Sequence, residues 1–494
     1  MVFCGLDVGT SGVKAVVFDK QGNILANCFN AYELTFKSDG TRDLPPEEIW
    51  QKTQNVLAGA RRECGQEIAA LAVSSFGEAF IAVDKNGDPL CEVMLFTDRR
   101  GESEYYEAMK GIGDEKIAKI CGLPPSPMIS ASKILYLQKQ RPEIWEKIDK
   151  LLLIEDFIYF KLGGRAYTDY SLACRTMLFD VHRLCWSDEL LEKMNVPKSM
   201  LSEPVCSGTV VGEVIQPYAD KLGLAGTKLV MGGHDQPVHA CGAGREKNAM
   251  VCSMGTTECL TPVFDKPLPY EVTLKSSLST EPFVTPDKYC TIAFNVTAGL
   301  LVKWFFDTFE KGEQKYAEYE QNAPKGPTKL FVQPYLMGSG TPYMDNLGRY
   351  AVIGADIGTT TYDIYKASLE GLCFDQRLNL EYLRAQGMHH ETLIAAGGGS
   401  KSELWLQIKA DVLQTPVQTL TCKEVGALGC AILCAVALGE YADITEAARA
   451  MSEVKSVFMP NADNKAEYDE KFALYETLHA DLKKYCAYAC KTNW

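Results

Sequence analysis

The run from Val2 to Phe18 constrains the fold of this chain more than any other stretch. An apolar segment ends in Asp7, a Gly-Thr-Ser-Gly turn occupies residues 9–12, and a second apolar segment follows at once. Glycine accepts positive φ and has no Cβ, so the backbone N–H groups of such a turn can close around phosphate oxygens. The run therefore predicts a strand–turn–strand hairpin that binds a phosphate, although an ordinary glycine-containing hairpin would leave the same pattern.

The polar side chains around this turn suit a phosphorylated ligand. Thr10 and Ser11 offer hydroxyl donors, and Lys14 lies where a flexible ammonium group could reach a terminal phosphate. Asp7 offers the carboxylate that a hard ion such as Mg²⁺ prefers, directly or through a water molecule. These residues together suggest a phosphate site with a metal ion beside it.

Length and charge narrow the functional classes. A chain of 494 residues exceeds what one hydrophobic core usually supports, so we expect at least two domains. The net charge of −14 argues against non-specific binding to nucleic acid or to a membrane surface. No apolar run reaches the ~20 residues of a membrane-spanning helix, and the first residues resemble a strand rather than a signal peptide. We therefore expect a cytoplasmic protein without nucleic-acid or membrane partners.

The 18 cysteines are scattered along the chain, and none forms a Cys-x₂-Cys pair. The pairs Cys430/Cys434 and Cys486/Cys490 are each about one helical turn apart, as thiols on one helix face would be. In a large cytosolic protein, buried free thiols are the first expectation, and metal or disulfide roles stay open.

Hydrophobic periodicity predicts a coarse order of elements. A third strand, Ile24 to Phe29, completes an opening meander of antiparallel strands. A loop-rich region is expected up to about residue 212, and roughly the last 35 residues fit a polar helix. The other expected elements are a helix over residues 47–64, a mostly helical region over 102–140, and strands over 68–74, 80–83, 94–96 and 151–155.

The opening pattern restarts after a linker at Gly242 to Arg245. A strand–turn–strand pattern with Gly255-Thr256-Thr257 at its turn echoes the first hairpin. This repeat predicts an N-terminal domain over residues 1–245 and a C-terminal domain over residues 246–494. Two such turns on facing domains could hold one polyphosphate between them.

A second candidate loop surrounds Asp235. A predicted strand ends in Gly232-Gly233, and Pro237 suits the first turn of the helix that follows. Asp235 therefore falls at or beside a helix N-cap in a loop open to a cleft, where plain capping is the alternative to a chemical role. His234-Asp235 also resembles part of a metal-dependent hydrolase site, but no second set of suitably spaced histidines supports that interpretation.

Four further segments carry glycines beside predicted elements. Ser74 to Glu78 would leave the carboxyl edge of a sheet, where ligand sites of α/β proteins lie. Gly397-Gly398-Gly399 joins a strand to an amphipathic helix over residues 403–413, so a flat ring could approach the backbone there. Residues 354–360 copy the opening loop, yet helical periodicity follows, which indicates a strand-to-helix connection. Glu424 to Cys430 fits the start of a closely packed helix.

Taken in order, six of these motifs resemble the FGGY carbohydrate kinase family, and the resemblance spans nearly the whole chain. The matching stretches are Gly5 to Ser11, Met231 to Gln236, Ser253 to Thr257, Asp363 to Gly371, Ala396 to Ser400 and Glu424 to Gly429. The resemblance implies an α/β fold with two ribonuclease H-like domains, of the actin, Hsp70 and sugar-kinase type, around a central cleft. ATP would lie mainly against the second domain and the sugar against the first.

The resemblance also implies roles for individual residues. Asp235 would be the catalytic base, and Asp7 would organise Mg²⁺. The residues expected to contact ATP are Thr10, Ser11, Lys14, Gly255, Thr256, Gly299, Lys303, Gly398, Gly399 and Ser402. The residues expected to line the sugar site are Gly77, Glu78, Asp98, Arg99 and Gln236.

The implied reaction is ATP-dependent phosphorylation of a small-molecule sugar or polyol. A hydroxyl group would attack the γ-phosphorus in line through a loose transition state, while Asp235 orients that hydroxyl and accepts its proton late. Closure of the domains would exclude water, which competes as the phosphoryl acceptor.

The acceptor is expected to be a neutral ketose or polyol. A carboxylate at Glu78 can accept hydrogen bonds from hydroxyl groups and would repel a sugar acid, so gluconate is disfavoured. Glycerol kinases carry Arg-Glu at Gly77-Glu78 and a tyrosine near Met128, and xylulokinases usually carry Gln-Met-His-Gly at residues 75–78. These departures argue against both acceptors, and the loop is a looser match to fuculokinase- and rhamnulokinase-like members. A glycerol or other polyol kinase stays an alternative.

Other classes of protein share parts of the pattern. An actin- or Hsp70-type ATPase would share both phosphate loops, and a catalytically silent sugar sensor would share the fold. An iron–sulfur ATPase activator would use a few cysteines at a dimer interface. The Asp235 loop and the set Glu78, Asp98 and Arg99 favour the kinase. The sequence leaves the oligomeric state open, a homodimer included.

Overall fold

Two six-stranded mixed sheets, one in each half of the chain, form the centre of the computed structural model, which describes residues 1–33, 35–36, 41–244 and 248–491. The predicted domain boundary, together with the last residue of the predicted linker, falls at residues 245–247 and lies outside the described residues. Along the described ranges, no helix combines the length and the apolar character that crossing a lipid bilayer requires.

The first half of the chain carries the first sheet and most of the smaller strands. Its strands are β1 (Val2–Gly9), β2 (Gly12–Asp19), β3 (Ile24–Ala31), β4 (Thr35–Phe36), β5 (Arg42–Leu44), β6 (Ala70–Ser75), β7 (Phe80–Val83), β8 (Val93–Met94), β9 (Lys150–Leu153), β10 (Tyr167–Asp169), β11 (Phe179–Asp180), β12 (Cys185–Trp186), β13 (Glu203–Val205), β14 (Val210–Glu213) and β15 (Lys228–His234). Its helices are α1 (Pro46–Cys64), α2 (Glu102–Ile112), α3 (Asp114–Cys121), α4 (Ser130–Gln140), α5 (Pro142–Trp145), α6 (Ile154–Gly163), α7 (Tyr170–Cys174), α8 (Asp188–Lys193), α9 (Tyr218–Leu222) and α10 (Asp235–Ala243), with a 3₁₀ helix at Lys198–Met200.

The second half of the chain carries the second sheet and the longest helices. Its strands are β16 (Ala249–Met254), β17 (Glu258–Thr261), β18 (Val263–Phe264), β19 (Glu281–Pro282), β20 (Tyr289–Cys290), β21 (Ala293–Asn295), β22 (Phe331–Gln333), β23 (Ala351–Ile353), β24 (Thr392–Ala396), β25 (Val417–Leu420) and β26 (Val454–Phe458). Its helices are α11 (Tyr270–Ser276), α12 (Gly299–Phe309), α13 (Tyr316–Asn322), α14 (Thr361–Ala385), α15 (Glu403–Leu413), α16 (Val425–Ala437), α17 (Ile444–Met451) and α18 (Ala462–Ala489), with a 3₁₀ helix at Gly398–Lys401.

The two sheets have the same strand order. The first is β14-β15-β6-β1-β2-β3, and the second is β26-β25-β24-β16-β17-β21. In each sheet three strands form an antiparallel meander, two more strands add in parallel, and the outer strand is antiparallel. The parallel strands therefore end at one edge of each sheet, which is where ligand sites of α/β folds lie.

The parallel strands of the first sheet are covered on both faces. All six residues of β6 are buried, with α16 on one face and α6 close by. A strand that is buried on both faces reads as a continuous apolar run rather than an alternating one. This is why the sequence showed β6 as an unbroken apolar segment.

The two halves share an apolar core through α10 and α16, which pack against each other. A Cβ added at Gly242 would lie 2.0 Å from the Val425 carbonyl oxygen, and one at Gly5 would lie 2.0 Å from the Ala427 carbonyl oxygen. Only glycine permits this close backbone approach. The prediction of a closely packed helix start after Glu424 is confirmed.

An arm of the second half extends over the first half. The arm carries β18, α11, β19 and β20, and β19 lies beside α7. The backbone N–H of Thr280 in the arm donates to the carbonyl oxygen of Gly122, at 2.6 Å. The arm thereby brings residues of the second half to the region after β6, which has an apolar core of its own.

Most predicted elements are confirmed with small changes in their bounds. The opening meander, α1, β6, β7 and α15 all begin and end within two residues of expectation. β23 ends at Ile353 and α14 begins at Thr361, so residues 354–360 are indeed a strand-to-helix connection. The polar helix expected at the end of the chain is α18.

The strand expected over residues 151–155 is confirmed as β9, which ends at Leu153 before the chain becomes helical at Ile154. The expectation of a loop-rich region up to about residue 212 was wrong. The supposedly loop-rich remainder contains α6, α7 and α8. The first six residues of α6 are all buried, so this helix lacks the one-sided apolar pattern that identifies helices in sequence.

Candidate active site

The opening hairpin presents its turn at the carboxyl edge of the first sheet. β1 and β2 pair in continuous register, so Asp7 is the partner of Lys14 and Gly9 the partner of Gly12. Thr10 and Ser11 form the turn between the strands, and the Ser11 carbonyl oxygen accepts a hydrogen bond from the Tyr32 backbone N–H at 3.1 Å. The turn is held by this bond while Ser11 stays exposed to the cleft side.

Asp7 occupies an environment that opposes its negative charge. Burial and the nearby charge of Asp235 raise the pKa of Asp7, Lys14 acts in the opposite direction, and together they raise it from 3.8 to about 7. The Ser74 hydroxyl, on the register partner of Asp7 in β6, is buried and has no hydrogen-bond partner among the described residues. A cation bound beside Asp7 would stabilise the ionised form of its carboxylate.

Lys14 links the two halves of the chain. Its Nζ donates to Glu424 Oε2 at 2.6 Å, and Asn27 Nδ2 donates to the other oxygen of Glu424 at 3.2 Å. Glu424 immediately precedes α16 of the second half. Both side chains of the pair are about a quarter exposed, so the pair lies at the edge of the cleft.

In the second half, the turn after β16, the start of α12 and the glycine-rich loop approach one another through backbone atoms. The turn after β16 is held to the start of α12, since Gly299 N donates to the Gly255 carbonyl oxygen at 3.0 Å. A Cβ added at Gly299 would lie 2.6 Å from that oxygen. Gly397 has φ +96°, and a Cβ there would meet the Met254 carbonyl oxygen at 2.7 Å. The structure thus brings the turn containing Gly255 and Thr256, the Gly299 turn and the glycine-rich loop together.

Three residues expected at the nucleotide have local partners. Ser402 caps α15, its hydroxyl accepting a hydrogen bond from Trp405 N at 3.2 Å. Lys303 pairs with Asp307 along α12 at 2.6 Å. A Cβ added at Gly399 would lie 2.9 Å from the Trp405 ring. The assignment of these three residues to the nucleotide stays a prediction.

A cavity of about 350 Å³ lies in the second half beside the glycine-rich loop, and Lys14 reaches it from the first half. Its lining includes Lys14 of the first half and Gly397, Gly398, Ser400 and Glu424 of the second. The cavity therefore joins the cation of the opening hairpin to the glycine-rich loop, as a site for an extended phosphorylated ligand would.

Asp235 begins α10, directly after β15. The strand runs through Gly232 and Gly233 to His234, one residue beyond the predicted end. A Cβ added at Gly232 would lie 1.7 Å from the Val73 carbonyl oxygen of β6, which explains the glycine. The Asp235 side chain is 35% exposed, whereas its neighbour His234 is nearly covered. Asp235 is thus partly exposed and lies beside a buried histidine.

Four charged side chains form a network around Asp235. Arg175 Nε donates to Glu78 Oε1 at 2.6 Å, and Arg175 Nη1 donates to Glu281 Oε1 at 2.7 Å. His234 Nδ1 lies 3.2 Å from Glu281 Oε2, and His234 Nε2 lies 3.3 Å from Asp235 Oδ1. Glu281 comes from the arm of the second half and is fully buried.

The network shifts the ionisation of its members. Burial alone would lower the pKa of His234, but Asp235 and Glu281 raise it to about 9. The pKa of Asp235 is raised by burial, with His234 lowering and Glu78 raising it. Glu281 is held ionised, since Arg175 and His234 outweigh its burial and lower its pKa to about 2.

The sugar-site residues predicted from sequence are only partly brought together. A Cβ added at Gly77 would lie 3.2 Å from Arg175 Cγ and 3.3 Å from His234 Nε2, so the Gly77-Glu78 loop lies against the network. Glu78 has φ +64°, a left-handed conformation that is uncommon outside glycine and often marks a functional site. Gln236 has a buried amide oxygen without a hydrogen-bond partner among the residues that the structure describes.

Asp98 and Arg99 are placed differently. Asp98 is buried, and its oxygens accept from the Arg42 backbone N–H at 2.7 Å and from Arg100 Nε at 2.9 Å. The side chain of Arg99 is 75% exposed and pairs with Glu102 at 3.0 Å. The recorded contacts do not bring Arg99 to the network, and both assignments to the sugar site stay predictions.

Three residues of this region were missed from sequence. Arg175 and Glu281 belong to no motif, and they meet Glu78 and His234 only through the fold. Lys133 on α4 is fully buried and donates to the Ile129 carbonyl oxygen at 3.3 Å, and burial lowers its pKa to about 8 against the opposing effect of Glu78 and Asp98. A buried arginine or lysine has no sequence signature, because burial is a tertiary property.

The cysteines do not form a metal site or a disulfide in the described ranges. All 18 are free thiols, and most are buried, as expected from sequence. Within the described residues no group of three or more His, Cys, Asp or Glu side chains could hold a metal ion. The metal-dependent hydrolase interpretation of His234-Asp235 therefore gains no support.

Comparison with known proteins adds to this geometry. The N-terminal domain model of the FGGY family of carbohydrate kinases matches residues 2–242, and the C-terminal domain model matches residues 250–438. The chain is 27% identical to xylulose kinase of Staphylococcus epidermidis over 98% of each chain, and 30% identical to glycerol kinase of Thermococcus gammatolerans over 93% of each chain. The crystal structure of ligand-bound xylulose kinase from Lactobacillus acidophilus superimposes with a TM-score of 0.90 at 24% identity, covering 98% of each chain.

Proposed function

Because this chain belongs to the FGGY family of carbohydrate kinases and has the two-domain α/β fold of that family, we propose that it transfers the γ-phosphoryl group of ATP to a hydroxyl group of a neutral ketose or polyol. The observation that carries the proposal is the position of Asp235. Its carboxylate lies beside the His234–Glu281–Arg175–Glu78 network, and its charge raises the pKa of Asp7 in the opening hairpin. Within this proposal, residues 1–245 hold the acceptor and residues 246–494 hold the nucleotide.

The two hairpins would hold the nucleotide from opposite sides. Thr10 and Ser11 offer hydroxyl and backbone donors from the first half, with Lys14 as the nearby cation. Gly255 and Thr256, which lie next to the start of α12, would contact the phosphates from the second half. Gly398 lines the cavity that also contains Lys14, so adenosine would lie on the glycine-rich loop with its phosphates pointing to the first half. Charge on the phosphoryl oxygens is thereby met by fixed donors.

Asp7 fits a Mg²⁺ site of the kind that kinases use. It is a single carboxylate, with a pKa raised by burial, beside the unpartnered hydroxyl of Ser74. Mg²⁺ usually keeps several waters and takes one or two protein carboxylates plus substrate phosphates rather than a full protein cage. When bound, the ion would neutralise charge on the β- and γ-phosphates. Asp7 would hold it, and Thr10 and Lys14 would position the phosphate.

Asp235 would act as the base for the acceptor hydroxyl. Its raised pKa and its partial exposure at the start of α10 suit a carboxylate that binds a hydroxyl proton and accepts it as the new bond forms. In a loose transition state the hydroxyl becomes acidic only late, so a modest base suffices. The unpartnered amide oxygen of Gln236 offers an acceptor for a second hydroxyl group.

The charges of the network favour a neutral acceptor. Glu78, Glu281 and Asp235 supply three carboxylates, while Arg175 and protonated His234 supply two cations. The remaining negative charge would repel a sugar acid, and the two cations already have carboxylate partners. A hydroxyl-rich neutral molecule can instead donate to these oxygens.

An ADP-release screen tests the proposal. The purified protein with ATP and Mg²⁺ is assayed against ketoses, polyols including glycerol, deoxysugars and gluconate, each at the same concentration. We expect one neutral acceptor to raise the rate of ADP release at least about a hundredfold over water, with gluconate inactive. Release that no acceptor stimulates would contradict the proposed function, and stimulation by gluconate alone would contradict the proposed acceptor class.

A further inference from the structure

The ring of His234 lies between two carboxylates that come from different halves of the chain. Nδ1 lies 3.2 Å from Glu281 Oε2, and Nε2 lies 3.3 Å from Asp235 Oδ1. The ring is buried, and the backbone N–H of His234 donates to Ser171 Oγ at 2.9 Å. Both ring nitrogens therefore face an acceptor, an arrangement that suits the doubly protonated imidazolium.

Glu281 is held in place by residues other than His234. Its side chain has no exposed surface, and its Oε1 accepts from Arg175 Nη1 at 2.7 Å and from Ser279 Oγ at 2.9 Å. These two bonds leave Oε2 for His234. Because Glu281 lies on β19 in the arm of the second half, the second half supplies part of the support for a side chain on α10 of the first.

We propose that Glu281 and His234 are positioning residues for Asp235: Glu281 holds the imidazole as a cation against the Asp235 carboxylate, which keeps that carboxylate oriented and ionised for its part in phosphoryl transfer. The inference rests on the proposed function for the role of Asp235 as base. It extends that function by assigning a positioning role to Glu281, a residue of the half that is proposed to bind the nucleotide. A base that is held by a charged neighbour needs no reorientation when the acceptor arrives.

The surrounding charges agree with this arrangement. The titratable and charged groups that act on the ring are Asp235 on α10, Glu281 on β19 and Glu78 in the loop after β6, with Arg175 reached through the two glutamates. Asp235 is acted on by His234, Glu78 and Glu281, and it is coupled to Asp7 on β1. The pKa of His234 is about 9, so its ring is protonated at neutral pH. The positive charge of the ring lowers the pKa of Asp235 against the effect of burial.

The pH dependence of kcat/KM separates positioning from simple structural support. Glu281→Gln removes one of the two carboxylates that raise the pKa of His234, the other being Asp235 itself, and so weakens the cation beside Asp235. Because His234 acts on the pKa of Asp235 more strongly than Glu281 does directly, the pKa of Asp235 rises. We expect the acid limb of kcat/KM to move upward by about one pH unit, which is the usual effect of losing one opposite charge at this range. His234→Gln should move the limb by a similar amount while leaving the Arg175–Glu281 pair in place. The acceptor for these assays is whichever compound gives the fastest ADP release in the screen above.

Combining the two substitutions sharpens the test. If both residues act through Asp235 in one chain, Glu281→Gln with His234→Gln should shift the limb no further than either change alone. Glu271→Gln, an exposed glutamate on α11 of the same arm, is the matched control and should leave the limb where it is. A purely structural role would lower the rate at every pH without moving the limb, and that result would overturn the proposal.

A second measurement does not depend on activity. The chain has six histidines, so ¹⁵N-histidine NMR can follow each ring through a pH titration, with the His234 signals assigned by their loss in His234→Gln. We expect the His234 ring to stay doubly protonated well above pH 7.5 in the wild type and to lose its proton at lower pH in Glu281→Gln. Titration of His234 near the ordinary value of about 6.5 in the wild type would overturn the proposal even if the screen identifies an acceptor. Failure of the screen alone would leave this titration intact and would count against the proposed function instead.

Discussion

The two halves of this molecule repeat one strand order but place different chemistry at the same edge of their sheets. In the first half that edge carries charged side chains, namely Asp7, Lys14 and Asp235. In the second half it carries turns of glycine, at Gly255 and at Gly397, where backbone approaches backbone. Under the proposed function, the first half would act on the reacting group and the second would hold the nucleotide through its backbone.

The comparison also shows that the charged groups of the first half have partners in the second. The second half sends Glu424 to Lys14 and Glu281 to Arg175 and His234. Two halves with the same strand order can therefore share one site, because segments of one half reach residues of the other. The predictions below test whether the charged edge of the first half and the glycine turns of the second have different roles.

Apart from Asp235→Asn, the largest effect is expected at the charged edge, from Asp7→Asn. Removing this carboxylate removes the group that fits Mg²⁺, so we expect kcat to fall by about a hundredfold or more, in the range seen for other electrostatic groups in active sites. Steady-state assays over a range of Mg²⁺ concentrations check this, with the Mg²⁺ requirement shifting upward. An unchanged kcat at ordinary Mg²⁺ would break the assignment of charge chemistry to the first half.

The next effect is expected at the glycine edge, from Gly299→Ala. The new Cβ would lie 2.6 Å from the Gly255 carbonyl oxygen, so the turn after β16 must move. We expect KM for ATP to rise about tenfold while KM for the acceptor changes by less than about threefold. Gly111→Ala, where a Cβ meets nothing within 4 Å, is the matched control. A larger effect on the acceptor than on ATP would contradict the comparison.

A smaller effect is expected on stability from His234→Gln, and its pH dependence has a definite sign. The pKa of His234 is raised from 6.5 to about 9 in the folded chain, so its stabilising charge is fully present below pH 6.5 and is lost as the pH rises through 9. The difference in unfolding free energy between wild type and variant should therefore shrink across that window. Urea unfolding at pH 6 and pH 9.5 measures it, and a difference that grows with pH would contradict the ionic account.

The smallest effect is expected from Glu424→Gln. The Lys14–Glu424 pair is partly exposed, and such pairs contribute about 0–1 kcal/mol. We expect Tm to fall by no more than a few degrees and KM for ATP to change by less than about threefold, with the difference fading at high salt. Lys14→Gln should have a clearly larger effect on KM for ATP, since it also removes the proposed phosphate contact. Equal effects of the two substitutions would assign Lys14 a structural role alone.

Sequence sufficed for the parts of the site that lie on continuous stretches. The opening hairpin, the loop at Asp235 and the glycine-rich loop before α15 all have a local pattern, because a turn beside a strand end needs particular residues at fixed spacing. The repeat of the hairpin near residue 255 also indicated two α/β domains. These features could be predicted without any knowledge of long-range contacts.

Sequence did not suffice where the site depends on residues from distant elements. Arg175 and Glu281 are separated by 106 positions, and Glu281 reaches His234 from the other half. No periodic pattern in the sequence indicates that these residues come into contact. Asp98 and Arg99 are neighbours in sequence, yet one side chain turns inward to Arg100 and the other outward to Glu102, which only the fold decides.

The central claim is that the Asp235 carboxylate receives the acceptor proton, and Asp235→Asn tests it most directly. Steady-state kcat with the best acceptor of the screen is measured together with the Kd for ATP, using the exposed Asp220→Asn as the control. We predict a fall in kcat of about a thousandfold or more with Kd for ATP within about threefold of the wild type. Turnover in Asp235→Asn close to that of Asp220→Asn would contradict the account.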